Sequence, residues 1–347
     1  MSARSLLCLS AVLSAAALAG CTADAPPRLS VAPAALRLVA FDSCTQLRDD
    51  LRAAAAASVG PYGFPGNGGI GLDAVAAGGA RTAVDSATAI PEKAAPFSAT
   101  NNHEPDADEP DIVKTDGRRI VTVTGDVLRV IDPATRTETG RLDLGTAGAG
   151  GANLLLSGDK ALVLVSGVYG YKHVDRIPDG LATKPQLLLV DLTGEPRVVS
   201  RYRGEGTLVD ARQTGSTARV VLRTSPRIKF PELPNASYDG VRAAANRAAV
   251  ERAPADAWLP SWSVTTGGVT ETGTVSCDRV SRPTDYSASA MLTILTFDLG
   301  AASLGSGDPM SIVADGDTVY GTGTSLYVAN DQRAIGAGTA EERQVVA

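Results

Sequence analysis

Six carboxylates fall between Thr100 and Gly117: Glu104, Asp106, Asp108, Glu109, Asp111 and Asp116. Asp106, Asp108, Glu109 and Asp111 offer hard oxygen ligands, the donor type that suits Ca²⁺, so a calcium site is one chemistry open to them. The spacing departs from an EF-hand loop, because Pro110 takes its fifth position and Asp111 the place of its glycine. The other chemistry is plainer: the same carboxylates cap turns and pair with Lys114, Arg118 or Arg119 as a strand begins. No other cofactor is expected. Gly-x-Ser-x-Gly and His-Glu-x-x-His are both absent from the sequence, and His103 and His173 are its two histidines. A catalytic triad or a His-rich zinc centre is hard to build from them. A pair of carboxylates working on a glycosidic bond is a matter of spatial pairing, which spacing neither supports nor rules out.

Binding chemistry has two further candidates. Tyr169, Tyr171 and His173, with Asp175, stand in a polar insertion that would line a binding mouth or simply be an exposed loop. Trp258 and Trp262 flank Leu259-Pro260. Aromatics so placed either stack on a sugar or a partner, or pack an insertion onto the body near Cys277. Gly66-Asn67-Gly68-Gly69-Ile70-Gly71 has the spacing of a dinucleotide fingerprint, but no strand precedes it and no amphipathic helix follows, so no nucleotide is expected there.

The elements that must position these residues begin with a leader. Met1 to Arg4 and the apolar run to Ala17 form a short signal-type segment, too short to span a bilayer. Leu18-Ala19-Gly20-Cys21 resembles the lipobox of bacterial lipoproteins, which implies cleavage before Cys21 and a lipid on its thiol; an ordinary secretory cut is the alternative. Residues 1–20 are thus expected to be a signal peptide and 21–35 a tether, with the protein exported and lipid-anchored to the outer face of the membrane or cell envelope. Cys8 leaves with the leader, so Cys44 and Cys277 remain, and an exported context favours a disulfide between them over a free buried pair. The formal net charge of -6 argues against a nucleic-acid partner.

Residues 36–100 read as one helix followed by a Gly/Ala-rich linker. Ser43 and Gln46 make a capping box, and Leu47, Leu51 and Ala54 or Ala55 line one helix face. From Asp111 the pattern turns to period two with glycine turns, which marks strands. Four short strands between Ile112 and Leu144 form a unit. It recurs from Leu154 to Tyr202, again from Thr207 with its last strand at Met291–Asp298, and starts a fourth time at Ser311. The spacing of about 40–50 residues, stretched by insertions, is that of β-propeller blades. The insertions are 167–185 and 225–289, the second with a helix near Val241–Ala253.

The chain is similar to a family of bacterial secreted proteins with a C-terminal β-propeller domain. The likeness rests on Thr100-Asn101-Asn102 through Asp108-Glu109-Pro110-Asp111-Ile112-Val113-Lys114-Thr115-Asp116-Gly117, on Ser43-Cys44 with Leu47, on Trp258-Leu259-Pro260, and on Cys277 with Arg282-Pro283. It implies a propeller and export, and no particular reaction. The expected fold is therefore all-β: a β-propeller of four-stranded blades over 101–330, incomplete at about three and a half blades, with a small helical N-terminal region and a helical insertion. Residues 331–347 read as a polar tail, and an open ring implies a truncated chain or closure by a second one. The expected function is a binding or scaffolding module for an envelope protein or glycan. The alternatives are a propeller hydrolase or lyase with a carboxylate site, and a non-functional remnant.

Overall fold

The computed structural model describes residues 37–64, 104, 106–145, 151–167, 184–234, 238–330 and 344–346. The leader, Cys21, the tether, the linker, Tyr169, Tyr171 and both histidines lie outside these residues.

The chain enters through β1 (Val39–Ala40) and α1 (Cys44–Ser58). Ser43 Oγ accepts from the Gln46 N–H at 3.1 Å, and the Gln46 side chain accepts from the Asp42 N–H at 2.6 Å. The expected capping box thus forms, with its return bond one residue earlier. The first sheet is an antiparallel meander of β2 (Val113–Thr115), β3 (Ile120–Thr124), β4 (Val127–Asp132) and β5 (Thr137–Asp143). The second holds β6 (Ala152–Ser157), β7 (Lys160–Val165), β8 (Gln186–Asp191) and β9 (Arg197–Gly204). The third starts with β10 (Thr207–Thr214) and β11 (Thr217–Thr224). In the first hairpin of the second and third sheets, Gly158 and Gly215 open two-residue turns at φ of 53° and 58°, where a side chain would be strained.

The long insertion then departs from expectation. It does contain a helix, α2 (Asp239–Arg252), but it also contains the hairpin β12 (Ser261–Thr266) and β13 (Val269–Thr274) and the strand β14 (Val280–Arg282). β12 pairs with β9, so the hairpin widens the second sheet to six strands. β14 runs parallel to β16 (Met310–Ile312), which itself pairs with β15 (Met291–Asp298) of the third sheet. Ser311 therefore ends the third blade and does not open the fourth. The fourth sheet is β17 (Thr318–Gly321), β18 (Leu326–Asn330) and β19 (Gln344–Val346). Gln344–Val346, read from sequence as tail, instead pairs antiparallel with β18 as the third strand of that sheet.

The sheets stack face to face through alternate side chains. Ala161, Val163 and Val165 of β7 join Val121, Val123 and Leu128 in the core between the first two sheets. Leu162 and Leu164 of the same strand face Val220, Leu222 and Leu295 of the third. β7 and β8 are buried on both sides, which is why they read as near-continuous apolar runs. Val221 and Leu292 continue the stack to Val319 and Val328 in the fourth sheet. Among the described residues no core joins the first sheet to the fourth, so the four described sheets do not form a closed ring.

A separate core collects the remote motifs. Leu47, Leu51 and Ala55 of α1 are fully buried against Val250 of α2, Trp258, Leu259 and Val280. Cys44 and Cys277 are disulfide-bonded beside it, with Cα atoms 5.4 Å apart. The Arg282 guanidinium lies 5.3 Å from the ring centroids of both Phe41 and Tyr286, a cation–π arrangement.

Candidate functional site

β2, β6, β10 and β17 are each an edge strand of one of the four sheets, with β2 lying against β6 and β10 against β17. Such edges carry unpaired N–H and C=O groups. The acidic segment covers two of them. Asp111 exchanges backbone bonds with Leu154 of β6 at 3.1 and 2.7 Å, and Asp108 does so with Gln213 of β10 at 2.7 and 2.8 Å. Ala107 between them is buried, and the Tyr320 hydroxyl on β17 donates to the Glu104 carboxylate. The acidic stretch thus runs along the edges of β6 and β10 and reaches β17 through the Glu104 side chain.

Each carboxylate has its own setting. Asp108 Oδ1 accepts from Lys114 Nζ at 2.7 Å, and Lys114 is buried. Glu109 Oε1 is 3.1 Å from Nη2 of Arg212 on β10. Arg212 is also buried, holds Asp210 at 2.7 Å and donates to the Val319 carbonyl at 2.6 Å. Asp111 caps the Ile112 N–H at 2.6 Å, and Asp116 pairs with Arg119 at 3.1 Å. Asp106 is exposed and has no hydrogen-bond or ion-pair partner among the described residues. Asp108, Glu109 and Asp111 therefore point to separate partners, and Asp106 shares none of them. Among the described residues no three His, Cys, Asp or Glu side chains converge as a metal-ligand group.

Where the acidic segment meets the β10–β11 and β17–β18 turns, a pocket of about 450 Å³ opens. Asp106, Asp108, Gln213, Thr214, Gly215, Gly323 and Thr324 line it. The two N–H groups of Gln213 Nε2 are committed to the carbonyls of Leu156 at 3.0 Å and Gly215 at 2.8 Å. That fixes the amide orientation, since the flipped form would set an oxygen against two carbonyl oxygens. Its Oε1 is left buried and unpartnered. Sequence reasoning did not single out Arg212 or Gln213. The signal was the polar run Asp210-Ala211-Arg212-Gln213, which breaks the apolar alternation of its strand.

The two tryptophans separate. Trp258 is 3 % exposed, and its Nε1 donates to the Ala288 carbonyl at 3.1 Å. It has no face left for a ligand, which corrects its place among the binding candidates: a large aromatic beside α1 supplies core area instead. Trp262 on β12 is half-buried, stacked at 6.2 Å on Tyr202, and lies across Gly273, where a Cβ would collide with the indole. An open groove of about 510 Å³ runs past it, bordered by Lys184, Arg203, Ser263 and Thr272.

No helix among the described residues is long and apolar enough to cross a membrane. No curated protein matches the chain. Residues 97–345 match the model of the family described as the beta propeller domain. That span covers well over half of the sequence and contains the acidic segment, its pocket and the strands of the four sheets apart from β1 and the last residue of β19, and the chain accordingly belongs to the beta propeller domain family.

Proposed function

We propose that this protein is an exported binding module, held by a lipid on Cys21 at the outer face of the membrane or cell envelope, with an envelope protein or glycan as its ligand. The observation that carries the reading is the pocket at the inner edge, built by three chain segments far apart in sequence. A propeller supplies a rigid frame, and loops positioned by a rigid frame are where ligands are met. Binding is favoured over turnover because the neighbouring acids are engaged, Asp108 by Lys114 and Glu109 by Arg212. A glycosidase-type mechanism needs two available carboxylates facing one substrate.

The test is a photo-crosslinking amino acid placed at Thr324 on the pocket rim, with Val269 on the distant β12–β13 turn as control. A discrete adduct from the first position and not the second is expected, lost on Asp106→Lys. Cys21→Ser should release the protein from the membrane fraction. Identical adducts from both positions would remove the pocket from the reading, and unchanged fractionation would remove the anchor.

A further inference from the structure

One face of the second sheet gathers arginines and hydroxyls. Register fixes the arrangement, because paired residues on neighbouring strands share a face and so do alternate residues along one strand. Gln186, Arg203, Ser263 and Thr272 stand in one row across β8, β9, β12 and β13. Leu188, Arg201, Thr265 and Thr270 stand in the next row, and Ser261 pairs with Thr274 at the base of the hairpin. Leu188 belongs to the core shared with the first sheet, which fixes the side on which these residues lie. The first sheet has four strands against the six of the second, and Arg203, Thr270, Thr272 and Thr274 are exposed. Arg203, Ser261, Ser263, Thr272 and Thr274 line the groove of about 510 Å³, and Lys184 joins them.

We infer that this face binds an acidic polysaccharide through its carboxylates and hydroxyls, at a second site that shares no lining residue with the inner-edge pocket. Arg201 and Arg203 carry the inference. Neither meets a carboxylate among the described residues: Arg201 donates to Gln186 Oε1 at 2.8 Å, and Arg203 has no hydrogen-bond or ion-pair partner there. They stand two residues apart on one strand face, a separation of about 7 Å. Burial, and then the charge of Arg203, lower the Arg201 pKa. Like charges held together cost free energy, and an anion between them removes that cost. Lys184 lies 3.7 Å from Glu205, but that carboxylate already accepts from Arg227 and from the Ser261 N–H. In a chain of formal net charge -6 this is a local reversal of sign.

The rest of the face decides the kind of anion. A guanidinium fits both oxygens of a carboxylate, and Ser and Thr hydroxyls donate and accept, as the hydroxyls of a sugar do. Strands about 4.8 Å apart make the row from Arg203 to Thr272 about 10 Å long, more than one small anion needs. A folded protein partner would be met by aromatic or apolar anchors. The exposed positions of this face carry none, because the Trp262 side chain lies on the other side of β12, over Gly273.

Calorimetric titration of the whole purified protein at low salt tests this with tetragalacturonate, its methyl ester, inorganic phosphate and phosphatidylglycerol vesicles. Tetragalacturonate is expected to bind. The ester keeps the hydroxyls without the charge and should bind at least about tenfold more weakly. Arg203→Gln should weaken the oligosaccharide about tenfold without lowering the melting temperature, because Arg203 is exposed and holds no partner among the described residues. Arg252→Gln removes the same charge from α2 and should leave the affinity unchanged. No heat from tetragalacturonate, equal binding of the ester, wild-type affinity in Arg203→Gln or an equal loss in both variants would overturn the inference. Phosphate binding as tightly would also overturn it, by making this a small-anion site. Vesicles binding where the oligosaccharide does not would overturn it in favour of a membrane-facing surface. The Thr324 crosslink reads the other pocket, and its Val269 control stands at the opposite end of the hairpin from this groove, so the two readings fail separately.

Discussion

Replacing Cys44 and Cys277 together by alanine removes the link between α1 and the end of the long insertion. The cross-linked residues are 233 positions apart. Chain-entropy reasoning for a loop of that length assigns the bond about 5 kcal/mol, nearly all of it exerted on the unfolded chain. The folded state should change little, because Leu47, Leu51 and Ala55 remain buried against Val250, Trp258 and Val280 whether or not the sulfurs are joined. Urea unfolding of the wild type and the double variant measures the difference. With a slope of roughly 3 kcal/mol per molar for a chain of this size, the midpoint should fall by roughly 1.5 M. Far-ultraviolet circular dichroism before unfolding should be the same. The single variant Cys44→Ala should lose as much as the double one, since either opens the loop. Midpoints agreeing within about 0.3 M would refute the account, and so would a loss of helical signal in the folded variant, which would mean that the bond holds α1 in place directly.

Three further outcomes are expected. Gly206, between β9 and β10, has a φ of 89°, and a Cβ there would run into the Arg223 carbonyl oxygen, so Gly206→Ala should cost roughly 3 kcal/mol or more in the same unfolding assay. The Thr193 backbone N–H and hydroxyl, then Lys160 and Arg197, hold the Asp191 carboxyl down to about 2 from 3.8. A folded value below the unfolded one means that the stabilisation is complete above about pH 4 and is lost as pH falls towards 2; with Arg197 exposed and screened it amounts to about 1 kcal/mol, and Asp191→Asn should abolish that part of the acid dependence. Millimolar Ca²⁺ should leave the melting temperature unchanged, because the Lys114 ammonium occupies Asp108 and the other carboxylates point elsewhere; a rise reversed by EDTA would restore the calcium reading.

Local pattern made the strands legible, since each needs only alternating apolar residues and a turn glycine within a few positions. The first two blades fall close to the expected positions, and so do α1 and its cap. What could not be read was membership. Met310–Ile312 is a short apolar strand whichever sheet takes it, and Ser261–Thr274 is a hairpin whether it stands alone or widens the second sheet. Backbone pairing across tens of residues leaves no periodic trace. The same holds for Arg212 and Gln213, whose partners come from a segment about a hundred residues earlier.

The acidic stretch from Thr100 to Gly117 divides the two kinds of information most clearly. Its composition, its prolines and its change to period two were enough to mark the entry to the β-rich body and the likeness to a propeller family. Sequence alone likewise singled out Cys44 and Cys277, which are joined. Only the tertiary structure decided that Asp108 and Asp111 lie on the open edges of β10 and β6, and that Asp108 and Glu109 turn to different cations. The physical reason is that charges along a chain state only what they can attract, whereas the partners they meet are set by which sheet edges the packed cores leave open beside them.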